Sequence, residues 1–182
     1  MWVYRELLAP GHISLRVCQN HGHQGVVPKG LVPNILTACH QVYDEAKDLL
    51  YLENTICINV HVWYGNANLL GTRPISHHSL PRFRSVVLVL ELAHTQPIST
   101  EAYTKIDWGQ LQKMTGLMRA TIACIDNVKE REDREGKKAL LEQVIERLPA
   151  ACKLNCEVKA GAETDHVQDM MEAIKKGSRG TY

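Results

Sequence analysis

Apolar side chains recur at spacings of three and four between residues 34 and 52, which is the period of an amphipathic helix. Asn34, which follows Pro33, is typical of a helix start because its side chain accepts hydrogen bonds from the first backbone N–H groups. The predicted apolar stripe consists of Ile35, Cys39, Val42, Tyr43, Ala46, Leu49 and Leu50. A shorter pattern over residues 3–8 predicts the last turns of an earlier helix, and the glycine-rich residues 22–30 predict a loop.

After Leu52 the pattern changes to short β-branched runs that alternate with helical ones. The predicted strands are residues 54–60, 85–92, 120–125 and 154–158. The predicted helices are residues 107–118, residues 138–148 and a closing helix marked by Val167, Met170, Met171 and Ile174. The run 85–92 is almost continuously apolar, which is typical of a strand covered on both faces. Residues 63–82 show no helical period and predict a loop in place of the first crossover helix.

The predicted strands begin roughly 30 to 35 residues apart, longer than the ~20–29 residues of a leucine-rich repeat (LRR), whose Leu/Asn signature is also absent. A strand followed by a helix at regular spacing predicts right-handed β–α units with a parallel sheet. We therefore expect an α/β fold: a short N-terminal helical segment, then a degenerate LRR-like array of β–α units with a mainly parallel sheet. The expected division is 1–52 and 53–182, packed as one globular unit. An ordinary three-layer α/β fold is the alternative.

The composition excludes several classes of protein. Among 182 residues, 21 are Lys or Arg and 20 are Asp or Glu, and the net charge of +1 gives no footprint for nucleic acid or an anionic membrane. No apolar run approaches the roughly 18 residues of a membrane-spanning helix, and the first eight residues are too short and charged for a signal peptide. We expect an intracellular protein, cytoplasmic or nuclear, in which the six cysteines are reduced.

A search for reactive groups gives one loose metal-ligand cluster. Cys18, His21, His23 and His40 are candidate zinc ligands, but a closed zinc site usually shows two paired-ligand motifs, and this cluster lies in a predicted loop. The sequence contains no nucleophile elbow, no Cys–His motif and no glycine-rich phosphate loop. We therefore expect no catalytic residue, no cofactor and no metal. A small zinc-binding or hydrolytic protein that uses the His-rich loop is the alternative.

Residues 35–55 resemble a signature of filamentous-fungal F-box-like proteins. That family carries a helix reading approximately Leu-x-x-Cys-Arg-Gln-Ile-Tyr-x-Glu-Ala-x-x-Leu-Leu-Tyr, followed by Asn-Thr-Phe on a strand. The residues here that match it are Cys39, Gln41, Tyr43, Glu45, Ala46, Leu49, Leu50, Tyr51, Asn54 and Thr55. Residues 3–8 match the end of the family's first helix, whose Leu-Pro-x-Glu-Ile-Arg opening is missing, so the resemblance is to an N-terminally truncated F-box. His40 and Ile56 stand where the family commonly has Arg and Phe.

The resemblance implies a non-enzymatic protein-interaction module that acts as a substrate adaptor of a cullin–RING ubiquitin ligase. An F-box docks a Skp-type adaptor through the apolar residues of its first helix, so a Skp-type adaptor is the implied partner. The interaction candidates are Tyr4, Leu7 and Leu8 on the F-box-like segment and Trp63 and Tyr64 on the array. No nucleic acid, membrane or small-molecule partner is implied. A structural remnant without independent activity is a further alternative.

Overall fold

The computed structural model describes residues 8, 14–18, 39–61, 78–92, 106–125 and 134–159. Within these ranges the chain forms strands and helices in alternation. The strands are β1 (Ser14–Cys18), β2 (Thr55–His61), β3 (Ser85–Glu91), β4 (Arg119–Ile125) and β5 (Lys153–Lys159). The helices are α1 (His40–Leu52), α2 (Gly109–Gln112) and α3 (Arg134–Arg147), and a 3₁₀ turn covers Leu80–Arg82.

The five strands form one parallel sheet in sequential order, β1-β2-β3-β4-β5. The strand starts are in register, so that Thr55 pairs with Ser85, Ser85 with Arg119, and Arg119 with Lys153. The predicted α/β class and parallel sheet are confirmed. All four strands predicted after Leu52 are present within one residue of their predicted bounds.

The strand order places the crossover connections on one face of the sheet. Parallel crossovers are right-handed, and a chain that always advances to the next neighbouring strand in one direction therefore keeps its connections on the same side. Burial agrees, because alternate residues of β2, β3 and β4 are buried in one cluster with residues of α2 and α3. The strand residues of this covered face are Ile56, Ile58, Val60, Val86, Leu88, Leu90, Ala120, Ile122 and Cys124, all at most 1% exposed.

The connections fill this core largely as their apolar spacing predicts. From α2 and its flanking turns come Trp108, Leu111, Met114 and Leu117, and from α3 come Leu140, Leu141 and Val144. Although α2 spans only four residues against the predicted 107–118, these apolar positions still reach the core. After the helix the chain passes close to the preceding connection, since a Cβ at Gly116 would overlap the carbonyl oxygen of Pro81.

Helix α1 differs from its prediction at its start. Cys39 is extended and exposed, and the helix begins at His40, so the continuous helix predicted from residue 34 is wrong; Asn34 itself lies outside the described residues. Tyr43 is 40% exposed, because the buried stripe of α1 packs on Leu8 and is confined to Ala46 and Leu49.

Three other predictions need correction. Strand β3 is buried on one face and only partly buried on the other, rather than covered on both. β1 was not predicted, and it adds a strand to the segment 1–52. The helix predicted over residues 138–148 begins earlier, at Arg134, and Lys137 within it is 5% exposed. The predicted helices over 3–8 and 167–174, apart from Leu8, and the loop 22–30 lie outside the described residues.

Asn54 joins the end of α1 to the N-terminal segment. Its side-chain amide donates to the carbonyl oxygen of Leu8 at 2.6 Å and to that of Leu50 at 2.8 Å, and the residue is 1% exposed. The adjacent Thr55 begins β2, and its hydroxyl donates to that of Ser85 at 3.1 Å. The Asn-Thr pair of the signature therefore has a structural role at the junction of helix and sheet.

Replacing Asn54 with alanine should lower the free energy of unfolding by about 2–3 kcal/mol, because the buried carbonyl group of Leu8 and the partly buried one of Leu50 lose this donor. Urea denaturation followed by circular dichroism measures the change. Asn155→Ala is the matched control, since Asn155 is exposed and its loss should cost less than about 0.5 kcal/mol. Equal effects of the two substitutions would contradict the role of Asn54.

Candidate functional site

The face of the sheet opposite the core is the candidate site. Side chains alternate between the two faces of a strand, so the residues between the buried positions share this second face, and the register aligns them in rows across the strands. We call it the open face. Its residues are Thr55, Cys57, Asn59, Ser85, Val87, Val89, Glu91, Arg119, Thr121, Ala123, Ile125, Lys153, Asn155 and Glu157. All except Ala123 are partly or fully exposed.

The open face has an apolar centre and a polar margin. Val87 and Val89 on β3 lie beside Thr121 and Ala123 on β4, so that small side chains occupy the middle of the sheet. Exposed polar side chains lie on β5 at one side. An apolar centre surrounded by polar groups is the usual anatomy of a protein–protein interface.

Charge is distributed unevenly along the strands of this face. Arg119 and Lys153 are register partners at the starts of β4 and β5, both exposed, and neither forms an ion pair with another described residue. The two positive charges on adjacent strands make the open face positive at the starts of β4 and β5, and they repel each other there. Glu157 lies four residues after Lys153 on β5, so the two positions are about 13 Å apart. This distance exceeds the Debye length of about 8 Å in physiological salt, so their mutual attraction is largely screened. The open face is therefore positive at the strand starts and negative farther along.

Polar contacts fix several of the face's side chains. Besides the Thr55–Ser85 bond, the amide of Asn155 donates to the Glu157 carboxylate at 3.2 Å. Just before β3 and outside the open face, the Arg84 guanidinium donates to the Gly116 carbonyl oxygen at 2.7 Å, which joins the start of β3 to the turn before β4. On the open face itself, the Thr55–Ser85 bond orders side chains at the starts of β2 and β3, and the Asn155–Glu157 bond orders side chains of β5.

Helix α1 presents a second exposed surface, made of residues that the core does not use. The amide of Gln41 donates to Glu45 at 2.9 Å, and the Lys47 ammonium lies 5.0 Å from the centroid of the Tyr43 ring. A hydrogen bond from Lys47 at 2.7 Å, together with its charge, lowers the pKa of the Asp44 carboxyl below its ordinary value. Asp44 is therefore ionised at neutral pH and adds negative charge to this surface.

The structure places two of the predicted site residues in detail. Leu8, predicted as an interaction residue, is fully buried against Ala46 and Leu49, and this prediction is wrong because the side chain is used inside the molecule. His40 is exposed at the first residue of α1. Cys18 ends β1. The remaining candidates, Tyr4, Leu7, His21, His23, Trp63 and Tyr64, lie outside the described residues.

Within the described ranges, no three His, Cys, Asp or Glu side chains are grouped so as to hold a metal ion. The cysteines whose side chains are described form no disulfide bond with one another; they are Cys39, Cys57, Cys124, Cys152 and Cys156.

None of the helices in the described part of the chain has the length and apolar character needed to cross a membrane.

The open face is the feature that sequence reasoning missed. In β3 the valines of the open face are as apolar as the Val86, Leu88 and Leu90 of the covered face, which hides the alternation. The signal was clearer in β2 and β5, where Asn59, Asn155 and Glu157 alternate with apolar residues.

Comparison of the chain with protein-family models, with curated proteins and with solved structures finds no match.

Proposed function

We propose that this chain is a non-enzymatic protein-interaction module that binds a protein partner on the open face of its sheet. The observation that carries the proposal is the one-sided covering of a sequential parallel sheet, which leaves an apolar centre with a polar margin partly exposed. The non-enzymatic part rests on the sequence, in which we recognise no catalytic motif.

The arrangement also supports the proposal of a degenerate LRR-like array. Repeated β–α units that advance by one strand at a time leave the strand side available, and solenoid proteins use such extended surfaces for binding. The charge distribution favours a partner that presents acidic groups near Arg119 and Lys153 and basic groups near Glu157.

The resemblance to F-box-like proteins adds a second partner, a Skp-type adaptor. Several residues of the signature are used in packing within the chain. Ala46 and Leu49 contact Leu8, and the side-chain amide of Asn54 donates a hydrogen bond to the carbonyl oxygen of Leu8. Those left exposed on the first turns of α1 include Gln41, Tyr43 and Glu45. We propose that the adaptor contacts this surface of α1, since Leu8 is not accessible to it.

Co-expression of the chain with a fungal Skp adaptor, followed by size-exclusion chromatography, tests this assignment. We expect one-to-one co-elution that Tyr43→Arg weakens at least tenfold, because an exposed interface tyrosine often contributes about 2 kcal/mol to binding. The matched control is Met118→Arg, which changes another exposed large apolar side chain just before β4.

Separate elution of adaptor and folded chain would remove the ubiquitin-ligase role. Co-elution that Tyr43→Arg leaves unchanged would contradict docking on α1. Neither outcome bears on the open face, which is tested separately by the lysine substitutions described in the Discussion.

A further inference from the structure

Strand β5 is at one end of the described sheet, and β4 is its neighbour there. We propose that β5 pairs with β5 of a second copy of this chain, in antiparallel orientation, and joins the two sheets into one. This inference does not depend on the proposed function, because it concerns the outer backbone edge of β5, although Lys153 and Glu157 also belong to the open face.

The backbone of β5 has the direction that such pairing needs. The N–H of Lys153 donates to the carbonyl oxygen of Met118 at 2.8 Å, on the β4 side. Backbone groups of successive strand residues point alternately to the two neighbouring strands, so those of Leu154 point to the outer edge. A second strand that pairs with these groups has Lys153, Asn155 and Glu157 in its non-hydrogen-bonded positions, where cross-strand side chains are closest.

The charges of β5 are self-complementary in one register. Antiparallel pairing centred on Asn155 places Lys153 opposite Glu157 of the second copy, and Glu157 opposite its Lys153. All three side chains are exposed, and neither charged one has an ion-pair partner among the described residues. The twofold symmetry therefore produces two ion pairs from one lysine and one glutamate.

The neighbouring registers lack this match. A shift of the centre to residue 156 places Lys153 opposite Lys159, and a shift to residue 154 places Glu157 opposite Ala151. Charged side chains ordinarily protect an edge strand because an incoming strand does not match them. Here a second copy supplies the opposite charge at each position. Lys153 and Glu157 therefore favour pairing with β5 of another copy, in this one register.

Analytical ultracentrifugation of the full chain, from about 5 to about 500 µM, tests this proposal over the range expected for a small interface. We expect a reversible monomer–dimer equilibrium. Lys153→Glu and Glu157→Lys should each weaken dimerisation about tenfold, since each converts two attractive cross-strand pairs into two repulsive ones. An equimolar mixture of the two variants, and the double variant Lys153→Glu/Glu157→Lys, should restore it.

Both positions are exposed, so the variants should keep the fold, which circular dichroism verifies. A chain that is monomeric at every concentration overturns the proposal. That result is expected if another segment of the same chain pairs with β5. A dimer that the single substitutions leave unchanged, or that the mixture does not restore, places the contact elsewhere and also overturns it.

Discussion

Replacing Phe83 with alanine should destabilise the protein by about 3–5 kcal/mol, the cost of deleting a buried aromatic ring from a packed core. Phe83 is 1% exposed and belongs to the cluster on the covered face of the sheet. Its ring meets that of Tyr51 edge to face, with the centroids 5.1 Å apart and the planes at 90°. Phe83 therefore connects the sheet core to the end of α1.

Neighbouring groups hold the Tyr51 ring in place. The surrounding residues can therefore move little to fill the cavity that Phe83→Ala would leave. The Tyr51 hydroxyl lies 3.1 Å from that of Ser79, and the Arg82 guanidinium lies 5.8 Å from the Tyr51 ring centroid. Arg82 also approaches Asp48 of α1 at 3.7 Å. Loss of the Phe83 ring should consequently loosen the contact between α1 and the 3₁₀ turn as well as the core.

Urea denaturation of the wild type and Phe83→Ala measures this effect. Tyr51→Phe is the control, because it keeps both rings and removes only the bond to Ser79; we expect a loss of about 1 kcal/mol. A loss below about 1 kcal/mol for Phe83→Ala would mean that the two rings do not form the junction between helix and sheet.

Local sequence predicted the elements whose apolar residues have one dominant period. In α3, the stripe formed by Leu140, Leu141 and Val144 is buried as predicted, and Pro149 follows soon after the helix ends. The strands after Leu52 were recognised because β-branched residues between turn formers favour extended backbone. Trp108 and Leu111 lie in the core as the apolar spacing of residues 107–118 indicates, although the helix around them is short.

The errors arise where the outcome depends on contacts distant in sequence. β1 alternates polar Ser14 and Arg16 with apolar Leu15 and Val17, but only its pairing with β2 makes five residues a strand. Cys39 fits the apolar spacing of α1, yet it is exposed, and among the described residues the buried cluster at this helix consists of Leu8, Ala46 and Leu49. Strand order, which places the crossover connections on one face of the sheet, is likewise not encoded in any single segment.

The candidate site is likewise formed by the pairing of strands that are distant in sequence. Of the signature residues, Leu49, Tyr51 and Asn54 contribute to the junction of helix and sheet. The open face contains none of the residues predicted to interact with a partner. Its identification required the register of β2 to β5, which relates Thr55 to Lys153, 98 positions later in the chain, only through Ser85 and Arg119.

Lysine substitution at two consecutive residues of β3 distinguishes a sheet that is covered on one face from a sheet that is covered on both. Val86 is 1% exposed in the core, whereas Val87 is partly exposed on the open face. Val86→Lys should lower the free energy of unfolding by more than about 4 kcal/mol, since it places an unpaired charge among apolar side chains.

Val87→Lys should cost about 1 kcal/mol or less, because the lysine stem can lie along the sheet while its ammonium group stays in water. Urea denaturation of both variants and the wild type gives the comparison. A large loss for Val86→Lys with a folded Val87→Lys is the result we expect. Equal, severe destabilisation by both would mean that the chain itself fills the open face, and the proposed binding surface would not exist.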